Sequence, residues 1–521
     1  MNWRNSTASL APCLLMIAGP ALGALVLLWW LGVRLVDYAP ATSDEIGYYL
    51  QVSSFAEHGF WGGYFTISEF PAAARFSHFG VHGPMFPMLY GALGKVLGWH
   101  FYSGPLFNIV FVTVAIGIYC LLVRPTFRQA ILGAAIVCTF LPFYVSLLAA
   151  QQDSLHLAIA IVVAAGFSGM LRLESWARKW IFHTSFLGLL VYASLMRISW
   201  SMFLLPYCLL QVPNPTPRRL VLAALLALIG IGSLLYTFRW LCAPYVGAPG
   251  AFLMNKIAGG EVSAKLIWTH ALGNLKRLRE GNLSAQPMVL GSIVFWEAIG
   301  LGSTMALYCL CPSVGIPSSQ VGHREGLFHA FNIWGLLVGI VIFYFVGSDG
   351  GWRMLAVNLL ISSLIAVTSP LWWLRGLMAA MVVVNLAFLP RCAGTIADIN
   401  GRRFEYAATI RSFARRIQGM IEYRRGADPW SNTMLVVPYP VELAGLPSGI
   451  GVSFCVRPQD VSLPIKSRYV LASEETVRQM HWQLIEVARF SDLHNGLVYE
   501  GQEISTNLYL NPAASPQPVK R

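Results

Sequence analysis

The chain has 521 residues and a formal net charge of +12, and it is 56% hydrophobic but only 12% charged. Soluble globular domains are about 25% charged, so this composition excludes an ordinary soluble protein and predicts an α-helical protein that crosses a membrane many times. The basic residues are scattered over short segments between apolar stretches instead of lining one helix, and no nucleic-acid partner is expected.

The first apolar stretch, from Ala11 to Val33, contains no charged residue. It is long enough to cross the hydrocarbon core as a helix. It is also longer than the apolar part of a secretory signal and lacks a small-residue cleavage site before Asp37. We therefore predict that it is retained as the first membrane span.

Two adjacent carboxylates, Asp44 and Glu45, follow this span at a water–lipid boundary. A carboxylate there can accept a proton from a hydroxyl group, and partial removal from water would raise its proton affinity. A second segment, His82-Gly83-Pro84-Met85, opens an apolar stretch that ends at Lys95-Val96-Leu97-Gly98. A structural alternative is that Asp44 and Glu45 only cap a loop helix that begins at Ile46.

Together these segments resemble the first external loop of the C-type integral-membrane glycosyltransferases, in particular the enzymes related to aminoarabinose transferases of lipid A and to protein O-mannosyltransferases. The resemblance is clear over residues 40–120. It implies a polyprenyl-phosphate-linked sugar as donor and a lipid, glycan or protein as acceptor. It departs from the aminoarabinose enzymes in placing His82 where they carry a lysine.

The resemblance assigns Asp44 as the catalytic base, with Glu45 orienting its neighbours or helping to bind a divalent metal ion, which some members need. His82 and Lys95 then become candidates for binding the donor phosphate or the sugar. His78 and Arg75 lie nearby in the sequence and are further candidates. A histidine in an aromatic loop is also commonly structural, and both interpretations stay open for His78 and His82.

Apolar stretches predict the remaining membrane spans, and Lys and Arg in the short loops predict their direction. Ten further spans are predicted near residues 102–123, 130–150, 154–171, 180–197, 199–212, 220–241, 288–311, 327–347, 353–369 and 371–390. Short basic loops fall on the side of Arg4, whereas the connections around Asp153 and Asp349 are poor in Lys and Arg. This predicts a multi-pass inner (plasma) membrane protein with a cytoplasmic N-terminus and a periplasmic or external segment after Arg391.

Two other charged positions inside the membrane part are candidates. Arg353 follows Gly350-Gly351-Trp352 at the external end of a span, where a guanidinium can bind phosphate through two bonds, although a boundary arginine can equally be an anchor to the interface. Glu297 lies within a span, where an ionisable residue is a functional candidate, and it could instead pair with Arg197 or another internal cation.

The predicted organisation is a multi-span domain over residues 1–397, with external loops at 37–101 and 242–287, and a small external α/β domain over 398–521. The second loop is predicted to contain an interfacial helix between Glu261 and Glu280. In the C-terminal domain we predict helices over Phe404–Arg425 and Glu474–Phe490 and strands at Thr433–Val437 and Tyr469–Ala472. A disulfide between Cys392 and Cys455 is permitted outside the cell.

The best functional hypothesis is an inverting glycosyltransferase. A transporter or flippase of a lipid-linked sugar is the alternative, but such a protein favours charged sites near the membrane midplane and internal repeats. A non-catalytic membrane scaffold is a third class, and it gives no reason for Asp44 and His82.

Overall fold

A computed structural model describes residues 10–62, 65–69, 83–172, 180–212, 216–241, 263–279, 289–310, 320–343, 349–496 and 502–514. Most of the described part is helical. The helices up to the C-terminal domain are α1 (Leu10–Leu31), α2 (Ser43–His58), α3 (Met85–Leu97), α4 (Ser103–Val123), α5 (Phe127–Thr139), α6 (Leu141–Ser146), α7 (Asp153–Arg172), α8 (Trp180–Met196), α9 (Leu204–Leu210), α10 (Pro217–Leu241), α11 (Ala264–Arg279), α12 (Val289–Leu310), α13 (Gln320–Ala330), α14 (Leu336–Phe343), α15 (Asp349–Val367) and α16 (Trp372–Glu405).

Within the described residues, seven helical segments are long and apolar enough to cross a membrane. They are Cys13–Leu31, Ser103–Val123, Asp153–Leu171, Pro217–Phe238, Val289–Leu310, Gly322–Ile342 and Trp372–Ile417. The predicted spans at 130–150, 180–197, 199–212 and 353–369 correspond to shorter apolar helices. The predicted class, a polytopic helical bundle with a small extramembrane sheet, is confirmed.

Helix α7 lies at the centre of the bundle. In its most apolar stretch 94% of the residues are buried, against 17% in the corresponding stretch of α10. Helices α4 and α15 pack against α7. The N-terminal end of α7 therefore lies among other helix ends, where side chains from several parts of the chain can meet.

Three predicted spans are interrupted. The span at 130–150 breaks at Phe140, and Pro142 then occupies the first turn of α6, where its missing N–H costs nothing. The span at 199–212 begins as a 3₁₀ turn at Ile198–Phe203. The span at 327–347 contains a π-helical turn, Phe331–Gly335, whose Asn332 side chain exchanges hydrogen bonds with Asn358 of α15.

The C-terminal domain contains a six-stranded sheet of order β1-β3-β2-β4-β6-β5. Its strands are β1 (Phe65–Ile67), β2 (Thr433–Val437), β3 (Gly451–Phe454), β4 (Tyr469–Ala472), β5 (Ile485–His494) and β6 (Glu503–Leu510), and its helices are α17 (Ala407–Ile417) and α18 (Glu474–Gln479). The two predicted strands are confirmed as β2 and β4. Strand β1 comes from the segment between α1 and α3 and pairs in parallel with β3.

Both predicted helices of this domain are too long. Helix α17 stops at Ile417, and Gly419 then adopts a φ of +86° that continues the chain out of the helix. Helix α18 stops before His481, which has a φ of +53°. The predicted helix over Glu474–Phe490 is wrong beyond that point, because residues from Ile485 onward pair with β6 as an antiparallel strand.

Helix α2 lies between two hydrophobic cores. Tyr48 and Val52 pack into the large core of the helical bundle. Ile46 and Leu50, with Phe65 of β1, pack into the core of the sheet. Part of the segment between α1 and α3 is therefore built into the hydrophobic core of the sheet.

The loop is also anchored by a polar contact. Glu69, which follows β1 and is fully buried, accepts hydrogen bonds from the backbone N–H groups of Lys466 and Ser467 and from the Ser467 hydroxyl.

The proposed disulfide is absent, since Cys392 and Cys455 are both buried free thiols. The predicted interfacial helix is confirmed as a helix, α11.

Candidate functional site

The first turn of α2 presents Asp44 to solvent. Thr42 precedes the helix with extended backbone angles and acts as its N-cap. The helix thus begins at Ser43, three residues earlier than the capping alternative supposed. Asp44 is in the first turn, and 56% of its side chain is exposed. It is therefore less desolvated than the sequence analysis expected.

Glu45 points the other way and is fully buried. Its Oε2 accepts hydrogen bonds from the backbone N–H and the hydroxyl of Thr42, which completes a capping box. Its Oε1 accepts bonds from the Tyr38 hydroxyl at 3.2 Å and from Arg403 Nε at 2.7 Å. Both oxygens of Glu45 are therefore occupied by donors from within the protein.

A row of alternating charges extends from Asp44 into the bundle. Arg353 Nη1 lies 3.8 Å from Asp44 Oδ2 and 3.4 Å from Asp153 Oδ2. Asp153 Oδ1 in turn accepts a 2.8 Å bond from Arg197 Nη2. The exposed side-chain fraction falls from 56% at Asp44 to 28% at Arg353 and 13% at Asp153. The row thus joins a solvent-facing carboxylate to a largely buried ion pair.

Helix ends bring these four side chains together. Asp44, Asp153 and Arg353 lie at or near the N-terminal ends of α2, α7 and α15, and Arg197 directly follows α8. The N-terminal end of a helix carries a partial positive charge that favours anions. The charged row therefore contains two guanidinium groups and lies at the N-terminal ends of three helices.

A small cleft lies beside the row, with room for little more than one or two water molecules. Asp153 and Arg353 supply its charged lining. Its other walls are apolar or neutral and are formed by Pro142, Val145, Ser146, Gln151, Leu157, Trp352, Ala356 and Val357. The cleft thus places an apolar wall next to the Arg353 cation.

Tyr48 is buried one turn along α2 from Asp44. Burial, together with the charges of Asp44 and Asp153, raises the pKa of Tyr48 well above its ordinary value. The phenol therefore stays neutral and remains able to donate a hydrogen bond.

The structure places only some of the predicted residues at this site. Arg353 and Asp44 are brought together, with 3.8 Å between Arg353 Nη1 and Asp44 Oδ2. Lys95 is exposed in the last turn of α3. Arg75, His78 and His82 lie outside the described residues. Beyond them, Gly83 has a φ of +71°, and a Cβ there would lie 2.5 Å from the carbonyl oxygen of Leu195. Glycine is therefore required at this turn.

Asp153 and Arg197 were not predicted to be site residues. Each is a single charge next to an apolar stretch, and an opposite charge at the same side of the membrane is the signal that could have linked them. The proposed pairing of Glu297 with Arg197 is wrong, because Glu297 accepts a bond from Asn385 whereas Arg197 binds Asp153.

The predicted metal site fits these residues poorly. In the part of the chain that the structure describes, no three His, Cys, Asp or Glu side chains are grouped so that they could hold a metal ion. Glu45 has donors on both oxygens, and Arg353 already lies between Asp44 and Asp153. No step of the proposed reaction is therefore derived through a metal ion.

Comparison with known proteins gives likenesses at the level of structure. No family model matches the sequence, and no curated protein matches it. The chain is similar to ArnT from Cupriavidus metallidurans bound to undecaprenyl phosphate, with 13% identity, a TM-score of 0.42 and coverage of 95% of this chain and 99% of that one.

It is also similar to the oligosaccharyltransferase AglB from Archaeoglobus fulgidus in complex with an inhibitory peptide and a dolichol-phosphate. That likeness has 11% identity and a TM-score of 0.42, and it covers 97% of this chain and 75% of that one. For the mycobacterial arabinofuranosyltransferase AftD the identity is 13%, the TM-score is 0.45 and the coverage is 95% and 41%. These neighbours are GT-C glycosyltransferases. Likenesses this distant carry no argument about activity, which we take from the site.

Proposed function

We propose that this chain is an inverting glycosyltransferase that moves a sugar from a polyprenyl-phosphate-linked donor to a hydroxyl group of a lipid, glycan or protein on the outer face of the membrane. The observation that carries the proposal is the row Asp44–Arg353–Asp153–Arg197 beside a partly apolar cleft at the ends of membrane helices. It offers a solvent-facing carboxylate and a cation within one site. Those are the two groups that this transfer requires.

Arg353 is proposed to bind the phosphate of the donor. A guanidinium matches a phosphate through two parallel hydrogen bonds. The distances from Arg353 Nη1 to Asp44 and Asp153, 3.8 and 3.4 Å, are longer than those of good charge-assisted bonds. The N-terminal ends of α2, α7 and α15 favour the same negative charge.

Asp44 is proposed to act as the base. The acceptor hydroxyl oxygen attacks the anomeric carbon, and its proton passes to the Asp44 carboxylate. The bond between the anomeric carbon and the phosphate oxygen breaks, and its electron pair leaves with the lipid phosphate, whose charge Arg353 stabilises. Attack opposite to the leaving group inverts the anomeric configuration.

Asp153 is unsuited to the role of base in this arrangement. It contacts two guanidinium groups and is only 13% exposed, whereas Asp44 has one longer contact and is 56% exposed. Nearby cations favour the charged form of a carboxylate and weaken its ability to take a proton. We assign Asp153 and Arg197 to holding Arg353 in place.

The remaining candidates keep their predicted roles as proposals. Arg75, His78, His82 and Lys95 would bind the sugar or the donor phosphate from the first external loop.

The test is an assay of sugar transfer by the purified chain reconstituted in liposomes. Polyprenyl-phosphate-linked sugars are supplied, and release of free polyprenyl phosphate is measured together with acceptor mass. Mass spectrometry of lipid A, glycans and surface proteins from cells with and without the chain identifies the acceptor class. We expect an added sugar residue and stoichiometric release of lipid phosphate. Movement of the intact donor across the bilayer without release would instead support the flippase alternative and refute the transferase.

A further inference from the structure

Arg403, at the C-terminal end of α16, lies far along the chain from the charged row but contacts its supporting residues. It is 1% exposed. Its Nε donates to Glu45 Oε1 at 2.7 Å, and its Nη1 donates to Asn400 Oδ1 at 2.7 Å and to the carbonyl oxygen of Val145 at 3.4 Å. Its own carbonyl oxygen accepts from the N–H of Ala39 at 2.9 Å. A buried arginine with this many partners is held in one orientation.

Tyr38 ties a third segment to the same position. Its hydroxyl donates to Glu45 and accepts from the backbone N–H of Ala150 at 2.9 Å. Ala150 lies three residues before Asp153, and Glu45 lies directly after Asp44. One buried polar cluster therefore fixes the segments that carry both aspartates of the charged row. We name Tyr38, Glu45, Asn400 and Arg403 the buried clasp.

We infer that Arg403 is a positioning residue for the proposed transfer, which it serves by holding Glu45 so that Asp44 stays at a set distance from Asp153 and Arg353. The inference rests on the proposed function for its catalytic consequence. It also makes the C-terminal domain part of the enzyme's working site, because Arg403 lies at the junction of α16 with that domain.

A buried ion pair is by itself weak evidence for a contribution to stability. A positioning role of the clasp must therefore be measured separately from its effect on stability. Removing one member of such a pair leaves a buried charge without a partner, whereas removing both charges together avoids that penalty. Glutamine at position 45 retains the capping box, because Gln serves at that position as Glu does. Substitutions can therefore separate an effect on stability from an effect on the position of Asp44.

The experiment compares Arg403→Gln, Glu45→Gln and the double variant with wild type. As a matched control, Arg402→Gln removes a neighbouring guanidinium that is 38% exposed and bonds Asp398 at the surface. For each we measure kcat, the KM for the donor lipid and the thermal unfolding temperature.

Arg403→Gln should lower both kcat and the unfolding temperature, with kcat falling on the order of 10–100-fold, because a displacement of about 1 Å in a reacting group can cost that much. The donor KM should change less than about threefold, since Arg353 is untouched. The double variant should regain most of the unfolding temperature while kcat stays at least about tenfold low. Arg402→Gln should match wild type.

Either of two results would overturn the inference. One is wild-type kcat in Arg403→Gln. The other is a double variant that regains kcat together with its unfolding temperature, which would make the clasp purely structural. If Arg403→Gln alone fails to fold, the kcat and unfolding temperature of the double variant decide between a positioning role and a purely structural one.

A second measurement does not require transfer. In an Asp44→Cys background, the alkylation rate of the introduced thiol by a water-soluble reagent is followed by mass spectrometry of its peptide. Thiolate content depends on the nearby Arg353 cation, so Arg403→Gln should change this rate at least about threefold. An unchanged rate would refute positioning. If the wild-type chain shows no transfer, the proposed function fails, and the alkylation result still tests the clasp.

Discussion

Replacing Asp44 by asparagine should abolish most activity while leaving the fold intact. The side chain is 56% exposed, and its single ionic contact is 3.8 Å long. An ion pair of that kind contributes less than about 1 kcal/mol to stability. Asp44 is also not the N-cap of α2, which is Thr42, so the helix start is preserved.

The expected loss of activity is much larger than the loss of stability. Removing a general base typically costs about 10²–10⁴-fold in rate. This range corresponds to about 2.7–5.4 kcal/mol in the activation free energy. We therefore expect kcat to fall by a factor on the order of 100 or more, with an unfolding temperature close to that of wild type.

The assay is release of polyprenyl phosphate by purified variants at matched amounts, with thermal unfolding measured on the same samples. Asp37→Asn is the matched control, because Asp37 lies in the same loop and pairs with Arg34 at 3.0 Å on the surface. It should keep wild-type activity. Near-normal activity in Asp44→Asn would refute the proposed base, and lost activity together with lost folding would assign Asp44 a structural role.

Three further predictions concern the rest of the site and the topology. Arg353→Lys keeps the charge but loses the two-bond geometry, so the donor KM should rise roughly tenfold; an unchanged donor titration would make Arg353 an interface anchor. Asp153→Asn removes the charge that Arg197 and Arg353 share and should destabilise the fold by about 2–4 kcal/mol, measured by chemical unfolding; wild-type stability would contradict the buried pairing. A reporter active only in the cytoplasm and fused after Arg521 should stay silent, and a strong signal would reverse the predicted topology.

Sequence alone predicted the helical architecture well, because membrane spans are specified by length and apolar composition. Prediction failed where the secondary structure of a segment depended on pairing with residues far along the chain. Residues from Ile485 to Phe490 do not alternate strictly between apolar and polar, so their pattern does not distinguish a strand from a helix, and the helix-favouring Glu474-Glu475 start led to the wrong prediction. Strand β1 is three residues long and has no local signal.

The candidate site shows the same division. Asp44 and Arg353 were predicted because their local surroundings were unusual, namely a carboxylate pair after a span and an arginine after two glycines. Asp153 and Arg197 each had ordinary surroundings, and only packing at the end of α7 brings them together. The role of Glu45 also required the structure, since its main ionic partner, Arg403, lies 358 positions away.

The pairing of β1 with β3 has a consequence for how the protein is made. Ser68, at the end of β1, and its contact Cys455 are 387 positions apart. At about 5–20 residues per second, the ribosome needs roughly 20–80 s to synthesise the intervening chain. Until then β1 has no strand to join, and α2 has no second core against which to bury Ile46. The first loop to emerge is thus among the last parts of the chain to reach its native surroundings.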